Sequence, residues 1–361
     1  MPAAPHTFLL VSGFHRSGTS LVAKTLVRNG VDMGQDLMGA SFANAEGHYE
    51  DMPLVTIHDN MLAANGTNWQ EHRQINFDTP RFLEDRLTCY LDERIQQSDN
   101  QSVLLGAKDP RALMFHSQWK KQENVALKSL FVFRDWHYSV SSLLKRHSRE
   151  LLQTSSAMHT RPLDLAFWKD PLLATKMWIA SAKAMIAWYQ ADTQNTLIFP
   201  LSAVINGDKK LSQALDKMKL PSDMLNAKST VKKELLQSSV PESLLSLIPS
   251  DVQKECNKLT ETLHGILGIQ PEEKVSFTSS STFIPVELNS DKQLKPEQIK
   301  AAQVTLEPTK PAIDLSNFSF DDAIRIVNES PASTTKLHWE KLLTQTETTA
   351  KNYDDIFAGA L

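Results

Sequence analysis

Arg16, Ser17, Thr19 and Ser20 sit in one short segment, Gly13-Phe14-His15-Arg16-Ser17-Gly18-Thr19-Ser20. Before it runs the apolar stretch Phe8–Ser12, which has strand character. After it, Leu21, Val22, Leu26 and Val27 recur at helical spacing, closed by Asn29-Gly30. A strand, a glycine-bracketed turn and a helix start together make an anion site. Backbone N–H groups converge there, and the helix dipole favours negative charge. The segment predicts a phosphate ligand.

The loop departs from the nucleoside-triphosphate motif G-x-x-x-x-G-K-[ST]. Gly13 and Gly18 keep the spacing and Ser20 keeps the hydroxyl, but Thr19 stands at the lysine position. The cation lies inside the loop, at Arg16. Three further groups can do chemistry. Arg134 follows a strand-like run, and Ser142 lies eight residues later in a helical pattern. A planar guanidinium fork and a hydroxyl suit a second phosphate. Glu46, His48, Glu50 and Asp51 cluster after the first strand–helix unit, where a general base would stand. Asp51 before Met52-Pro53 also reads as a helix cap. Lys108-Asp109-Pro110-Arg111 ends another strand-like run, and Lys108 can stabilise developing negative charge.

The run His15-Arg16-Ser17-Gly18-Thr19-Ser20 resembles the loop of bacterial sulfotransferase-like proteins, which belong with the enzymes using 3′-phosphoadenosine-5′-phosphosulfate (PAPS). The resemblance spans roughly residues 7–205 through separated motifs. It implies a P-loop-like three-layer α/β/α fold with a central parallel sheet. It implies PAPS as sulfuryl donor, no metal, and a hydroxyl acceptor such as a saccharide or small alcohol. By the same resemblance Arg16, Ser17, Gly18, Thr19 and Ser20 bind the donor's 5′ side, and Arg134 with Ser142 holds its 3′-phosphate. Lys108 matches the K-[SD]-P element. Two alignments compete for the base. The carbohydrate-type E-x-H-x-x-D pattern matches Glu46, His48 and Asp51, whereas the bacterial G-Y-[FW]-E pattern selects Glu50 and is slightly favoured. The late basic R-K-G element of cytosolic eukaryotic sulfotransferases has no counterpart here. Two rival functions remain: a P-loop kinase, weakened by Thr19 and the lack of a clear Walker B Asp, and a non-catalytic nucleotide-binding module.

The elements that must position these groups are legible in outline. Strand-like runs occur at Phe8–Ser12, Val103–Ala107, Ser129–Phe133 and Thr196–Leu201. Helical patterns occupy Thr19–Asn29, Pro53–Ala64, Pro80–Ser98, Trp136–Leu152, Pro171–Asp192 and Lys209–Lys217. Alternation of this kind predicts a parallel sheet covered on both faces, with ligands at the carboxyl ends of strands. The three cation-bearing motifs all fall just past strand ends and so share one crevice. Met177, Ile179, Met185 and Trp188 recur at helical spacing and read as core, while Trp168 or Trp136 is a candidate face for an acceptor sugar.

Composition narrows the class further. The chain has 361 residues, 41% hydrophobic and 22% charged, as expected of a globular protein. A net charge of −4 argues against a general nucleic-acid binder. Two distant cysteines, Cys89 and Cys256, build neither a disulfide framework nor a thiolate metal site, and the eleven His residues are scattered. No secretory signal and no apolar stretch of spanning length is visible, which together with the resemblance predicts a cytoplasmic enzyme. Residues 1–268 are expected to form the sulfotransferase domain and 269–312 a polar, Pro- and Ser-rich linker. Residues 313–361 are expected to form a helical extension, with Phe320–Asn328 and Thr335–Leu343 as its helices. Trp339 there needs burial, on the core or against another protein or a second subunit.

Overall fold

The computed structural model describes residues 5–39, 47–73, 75–98, 103–152, 161–227, 240–241, 243–270, 275 and 277–278. Glu46 and the expected linker and extension from 279 onward lie outside the described residues. The chain divides into two units: Met1–Arg146 with Pro171–Phe283, and His147–Asp170 with Ile284–Leu361.

The first unit is built on strand β1 (His6–Ser12), followed by helix α1 (Thr19–Arg28), α2 (Met52–Ala64) and α3 (Arg81–Gln97). Strand β2 (Leu105–Lys108) leads into a 3-10 turn at Pro110–Phe115 and helix α4 (His116–Lys120). Then come β3 (Val125–Phe133), α5 (Trp136–Leu152), α6 (Arg161–Lys169), α7 (Leu173–Ala191) and β4 (Thr196–Pro200). The remaining elements are α8 (Leu201–Asn206), α9 (Lys209–Lys217), β5 (Val240–Pro241), α10 (Ser243–Leu247), α11 (Ser250–Leu267) and β6 (Phe277–Thr278). Of these, α6 lies in the second unit, where His147 Nδ1 meets Asp164 Oδ1 at 2.5 Å and the His147 ring stacks on Phe167.

Four strands form one sheet in the order β2-β1-β3-β4, all parallel. The four expected strands are therefore present, with β3 starting four residues earlier than its apolar run suggested, at Val125. Central strands β1 and β3 are apolar on both faces because helices cover both. Leu9, Val11, Leu130 and Val132 point to one side, into a core shared with Val22 and Leu26 of α1, Val204 of α8 and Leu211 and Leu215 of α9. Phe8 and Phe131 belong to the other side, against Trp119 of α4 and Trp188 of α7. This is an α/β fold of three layers. Truncating a fully buried residue such as Leu10 to Ala would cost about 2–5 kcal/mol.

Helix α11 is an element beyond the six helical patterns expected from the sequence. Its signal is present, since Val252, Cys256, Leu259 and Leu263 recur at four- and three-residue steps. It packs against α7 and β4, with the His264 ring edge-on to Phe133 at 4.8 Å between centroids. Its Asn257 accepts from Trp136 Nε1 at 2.8 Å, so Trp136 is a buried packing residue and not an acceptor platform. The Trp168 side chain lies outside the described residues. The core reading of α7 holds for Met177, Met185 and Trp188, all buried. Among the described histidines, His58, His147 and His264 are buried. Among the described residues no helix is long and apolar enough to cross a membrane.

Candidate anion site and adjoining cavity

With strand order 2-1-3-4 the chain reverses its direction of build between β1 and β3, which makes their carboxyl ends the switch point where ligands bind. The two expected phosphate motifs leave these two strands. After β1 the backbone turns sharply through Gly13. A Cβ on Gly13 would lie 2.1 Å from the Val132 carbonyl oxygen of β3, so only glycine lets the loop pass. Arg16 is held in the left-handed region at φ 67°, and Gly18 follows at φ 94°. Ser17 N donates to Phe14 O at 3.1 Å, closing the turn. Helix α1 then starts from Gly18 without a side-chain cap. A helix entry of this form is suited to an anion.

The loop is joined to the helix after β3. Arg16 Nε donates to Ser142 Oγ at 3.0 Å, and the buried hydroxyls of Ser17 and Ser139 lie 3.4 Å apart. Ser139 Oγ in turn donates to the Arg134 carbonyl at 3.4 Å. The Arg134 guanidinium lies over the Tyr138 ring, 4.7 Å from its centroid, a cation–π contact that restricts its orientation. Burial pulls the Arg134 pKa down from its ordinary value, opposed by Tyr138 and Asp135. Arg16, Ser17 and Ser142 are therefore assembled at one place, with Arg134 at the start of the same turn of chain. On the other flank Ser20 Oγ donates to the His48 carbonyl at 3.3 Å, bringing the segment 47–50 onto the loop.

That segment is fixed from below. Asp51 opens α2, yet its side chain makes no cap bond. It accepts instead from Asp36 N, from Tyr90 Oη at 2.8 Å and from the buried Arg94 at 3.3 Å. Arg94 also donates to the carbonyls of Gly106 and Asp32, so α3, β2 and the start of α2 share one buried cation. Met38 N donates to Glu50 O at 2.7 Å.

Glu50, so anchored, turns its carboxylate to the end of β2. Lys108 Nζ donates to Glu50 Oε1 at 2.5 Å, and Arg111 Nη1 to Glu50 Oε2 at 3.1 Å. Arg111 also binds Asp109 Oδ1 at 2.9 Å and is ion-paired to Asp59 at 2.7 Å. The other Asp109 oxygen meets His58 Nδ1 at 2.8 Å, while His58 Nε2 accepts from Trp119 Nε1 at 3.1 Å. That indole fixes the His58 tautomer with its proton on Nδ1, donating to Asp109. Burial would raise the Asp109 carboxyl, but Arg111 and His58 hold it well below the usual range.

His48 and His15 complete the site. Burial lowers His48 to about 4. Arg146, Lys108 and Arg16 push the same way, against an opposing effect of Glu50. His15 is lowered well below its usual value by burial and then by Arg111, Lys108 and Arg146. Both imidazoles are neutral at pH 7. Arg16, Lys108, Arg111, Arg134 and Arg146 thus gather at the strand ends of a chain whose overall charge is negative. Arg146 and the side chain of His15 were not read as site features, nor was the pairing of Arg111 with Glu50 and Asp59. The signal for Arg146 was its place four residues after Ser142, one helical turn along α5.

A cavity of about 440 Å³ opens beside Gly13 and His15. Its walls mix apolar side chains, among them Trp69, Phe77 and Met177, with polar ones, among them Arg73, Asn76 and Ser181.

The fold and site define an α/β protein with a glycine-bracketed loop and a cation cluster at its β1/β3 switch point. No family model matches the chain, and no curated protein matches it. Solved structures that align with it include the sulfotransferase domain from the curacin biosynthetic pathway, 13% identical, covering 72% of this chain and 98% of that one with a TM-score of 0.39. A sulfotransferase from Alicyclobacillus acidocaldarius aligns at 10% identity, over 74% and 98% of the two chains, with a TM-score of 0.40. Retinol dehydratase in complex with retinol and PAP (3′,5′-adenosine bisphosphate) aligns at 12% identity, over 73% and 82%, with a TM-score of 0.32. Likenesses this distant assign no residue a role.

Proposed function

We propose that the protein is a PAPS-dependent sulfotransferase acting on a hydroxyl-bearing small molecule. The Arg16–Ser142 hydrogen bond carries this reading. It ties the cation of a 5′-phosphate loop to the serine of a second phosphate motif, and a bisphosphate nucleotide is the ligand that needs both. The donor set fits such a group: a glycine turn that a Cβ would block, a helix entry without a side-chain cap, hydroxyls and two arginines. Gly18, Thr19 and Ser20 would hold the 5′-phosphate with Arg16 and Ser17. Arg134 and Ser142 would hold the 3′-phosphate. PAPS, when bound, supplies a sulfuryl group on a reactive bond to phosphate.

The chain's own residues do the rest. Arg16 and Lys108 offset negative charge as it grows on the group in transit and on the departing phosphate. Glu50 fixes the Lys108 ammonium at 2.5 Å, so that no reorganisation is needed when charge appears. Glu50 is also the first candidate to accept the proton of the acceptor hydroxyl. Neutral His48, beside it, is the second. Glu46 lies outside the described residues and keeps its place as a candidate through the alternative alignment.

The direct test is transfer from radiolabelled PAPS to a panel of hydroxyl compounds, with Lys108→Met as control. Label transfer by the wild type that collapses in the control supports the reading. Phosphate transfer from ATP without sulfate transfer from PAPS would replace it with the kinase.

A further inference from the structure

Helix α2 buries one face through Leu54, His58, Met61 and Leu62. Four-residue steps put His58 between two leucines, where the helical period asks for an apolar side chain. The residue is fully buried, and both ring nitrogens are partnered. Nε2 accepts from the Trp119 indole at 3.1 Å, Nδ1 meets Asp109 Oδ2 at 2.8 Å, and the ring stacks on Phe115 with centroids 5.0 Å apart. Because the indole can only donate, the His58 proton sits on Nδ1 and points at Asp109.

The Asp109 backbone is tied to β1: its amide donates to Val11 O at 3.1 Å, and Ser12 Oγ donates to its carbonyl at 2.7 Å. What can turn is the carboxylate, and His58 holds one of its oxygens. The other accepts from the amide and from Nη1 of Arg111, each at 2.9 Å. Arg111 Nη1 reaches on to Glu50 Oε2 at 3.1 Å, and Asp59, next to His58 on α2, is ion-paired to Arg111 Nε at 2.7 Å. Two adjacent residues of α2 thus grip both halves of the Asp109–Arg111 pair. A buried carboxylate that loses a hydrogen-bond partner turns or takes up a proton, and either change shifts the arginine bound to it.

We propose that His58 is a positioning residue of this site: through Asp109 and Arg111 it fixes the Glu50 carboxylate beside Lys108. The assignment rests on the sulfotransferase reading only in naming the reaction whose rate responds. The part of Trp119 is to keep the His58 proton on the side of Asp109.

The test uses two variants of the full chain that divide the imidazole between them. In His58→Asn the side-chain amide stands near the Nδ1 place, so Asp109 keeps its donor and Trp119 loses its acceptor. In His58→Gln the amide reaches the Nε2 place, so Trp119 keeps its acceptor and Asp109 loses its donor. Each variant leaves one buried polar group unpaired, so similar losses of thermal stability are expected. Sulfate transfer from PAPS should tell them apart: kcat should fall about 10- to 100-fold in His58→Gln, the scale of a slightly misplaced catalytic group, and stay within about threefold in His58→Asn. PAP affinity by calorimetry should stay within about twofold in both. Crystal structures of the variants should show the Arg111–Glu50 hydrogen bond kept in His58→Asn and broken in His58→Gln. Arg111→Lys keeps the charge without the fork that reaches both carboxylates, and it should lower kcat as His58→Gln does. It decides the matter if His58→Gln does not fold. Equal kcat in the two His58 variants, or full kcat in Arg111→Lys, overturns the assignment and leaves His58 a packing residue. No sulfate transfer by the wild type, with the Arg111–Glu50 bond kept in one His58 variant and broken in the other, overturns the sulfotransferase reading and leaves the positioning role standing.

Discussion

Arg16 and Ser142 are 126 residues apart in sequence, and the Arg16 Nε–H meets the Ser142 hydroxyl at 3.0 Å. Each belongs to a motif that would be weak evidence alone. Their contact makes one site of two, and most of the expected behaviour of the protein follows from it.

Removing the second-phosphate groups should therefore discriminate between nucleotides. Arg134→Ala should weaken PAP binding by about 1.5–3 kcal/mol, as for a lost hydrogen bond to a charged group. Ser142→Ala should cost about 0.5–1.5 kcal/mol and also release Arg16. AMP, which lacks the 3′-phosphate, should bind Arg134→Ala nearly as it binds the wild type. Calorimetric titration of both nucleotides checks this, and equal losses would make Arg134 a structural residue.

Gly13→Ala should damage the loop itself. The new methyl would face the Val132 carbonyl oxygen at 2.1 Å, a backbone atom that cannot move without shifting β3. The expected cost is about 1–3 kcal/mol of stability, typical of overpacking, with loss of PAP binding beyond it. Thermal denaturation with and without PAP separates the two effects.

Much of this was legible in the sequence, for physical reasons that differ by element. The glycine loop between β1 and α1 shows because it is local: its glycines, cation and hydroxyls lie within one turn. The four strands show because burial on both faces demands unbroken apolar runs, as in Phe8–Val11. What distance brings together does not show. Nothing local pairs Glu50 with Lys108, 58 residues away, or hands Asp51 to Arg94 in place of the cap its position suggests. The Trp136 indole reads as a possible sugar platform until α11 is seen to cover it. The last strand run ends one residue early because Leu201 begins α8 after Pro200.

Glu50→Gln should separate chemistry from binding. If Glu50 takes the acceptor proton, turnover should fall on the order of 10²–10⁴-fold with PAP affinity near wild type. The amide also takes the Glu50 charge away from Lys108 and leaves Arg111 to Asp59 and Asp109, so a loss of stability should accompany it. Normal turnover in Glu50→Gln with a collapse in His48→Gln would move the base to His48. A collapse only in Glu46→Gln would select the carbohydrate-type alignment.

His48 should titrate far from the ordinary histidine range. Its value of about 4, against 6.5 for an unperturbed group, means that the unfolded chain takes up this proton first as pH falls. Its contribution to stability is present above about pH 6.5 and is lost progressively down to about pH 4, with the same direction expected from His15. His48→Gln should flatten that part of the stability profile. Proton NMR of the folded chain should place the His48 midpoint near 4, and bound PAP, by adding negative charge among Arg16 and Lys108, should raise it. A midpoint near 6.5 without ligand would contradict the burial of His48 first, and the neighbouring cations second.

A site built for a nucleotide with phosphates on both the 3′ and 5′ positions of the ribose should show itself in ligand-induced thermal stabilisation. At equal concentrations PAP should raise the melting temperature clearly, by the mass action of a ligand that binds only the folded state. AMP should do so less, and ATP with Mg²⁺ much less than PAP. Stabilisation by ATP–Mg²⁺ that exceeds that by PAP would make this a nucleoside-triphosphate site and not one for a bisphosphate nucleotide.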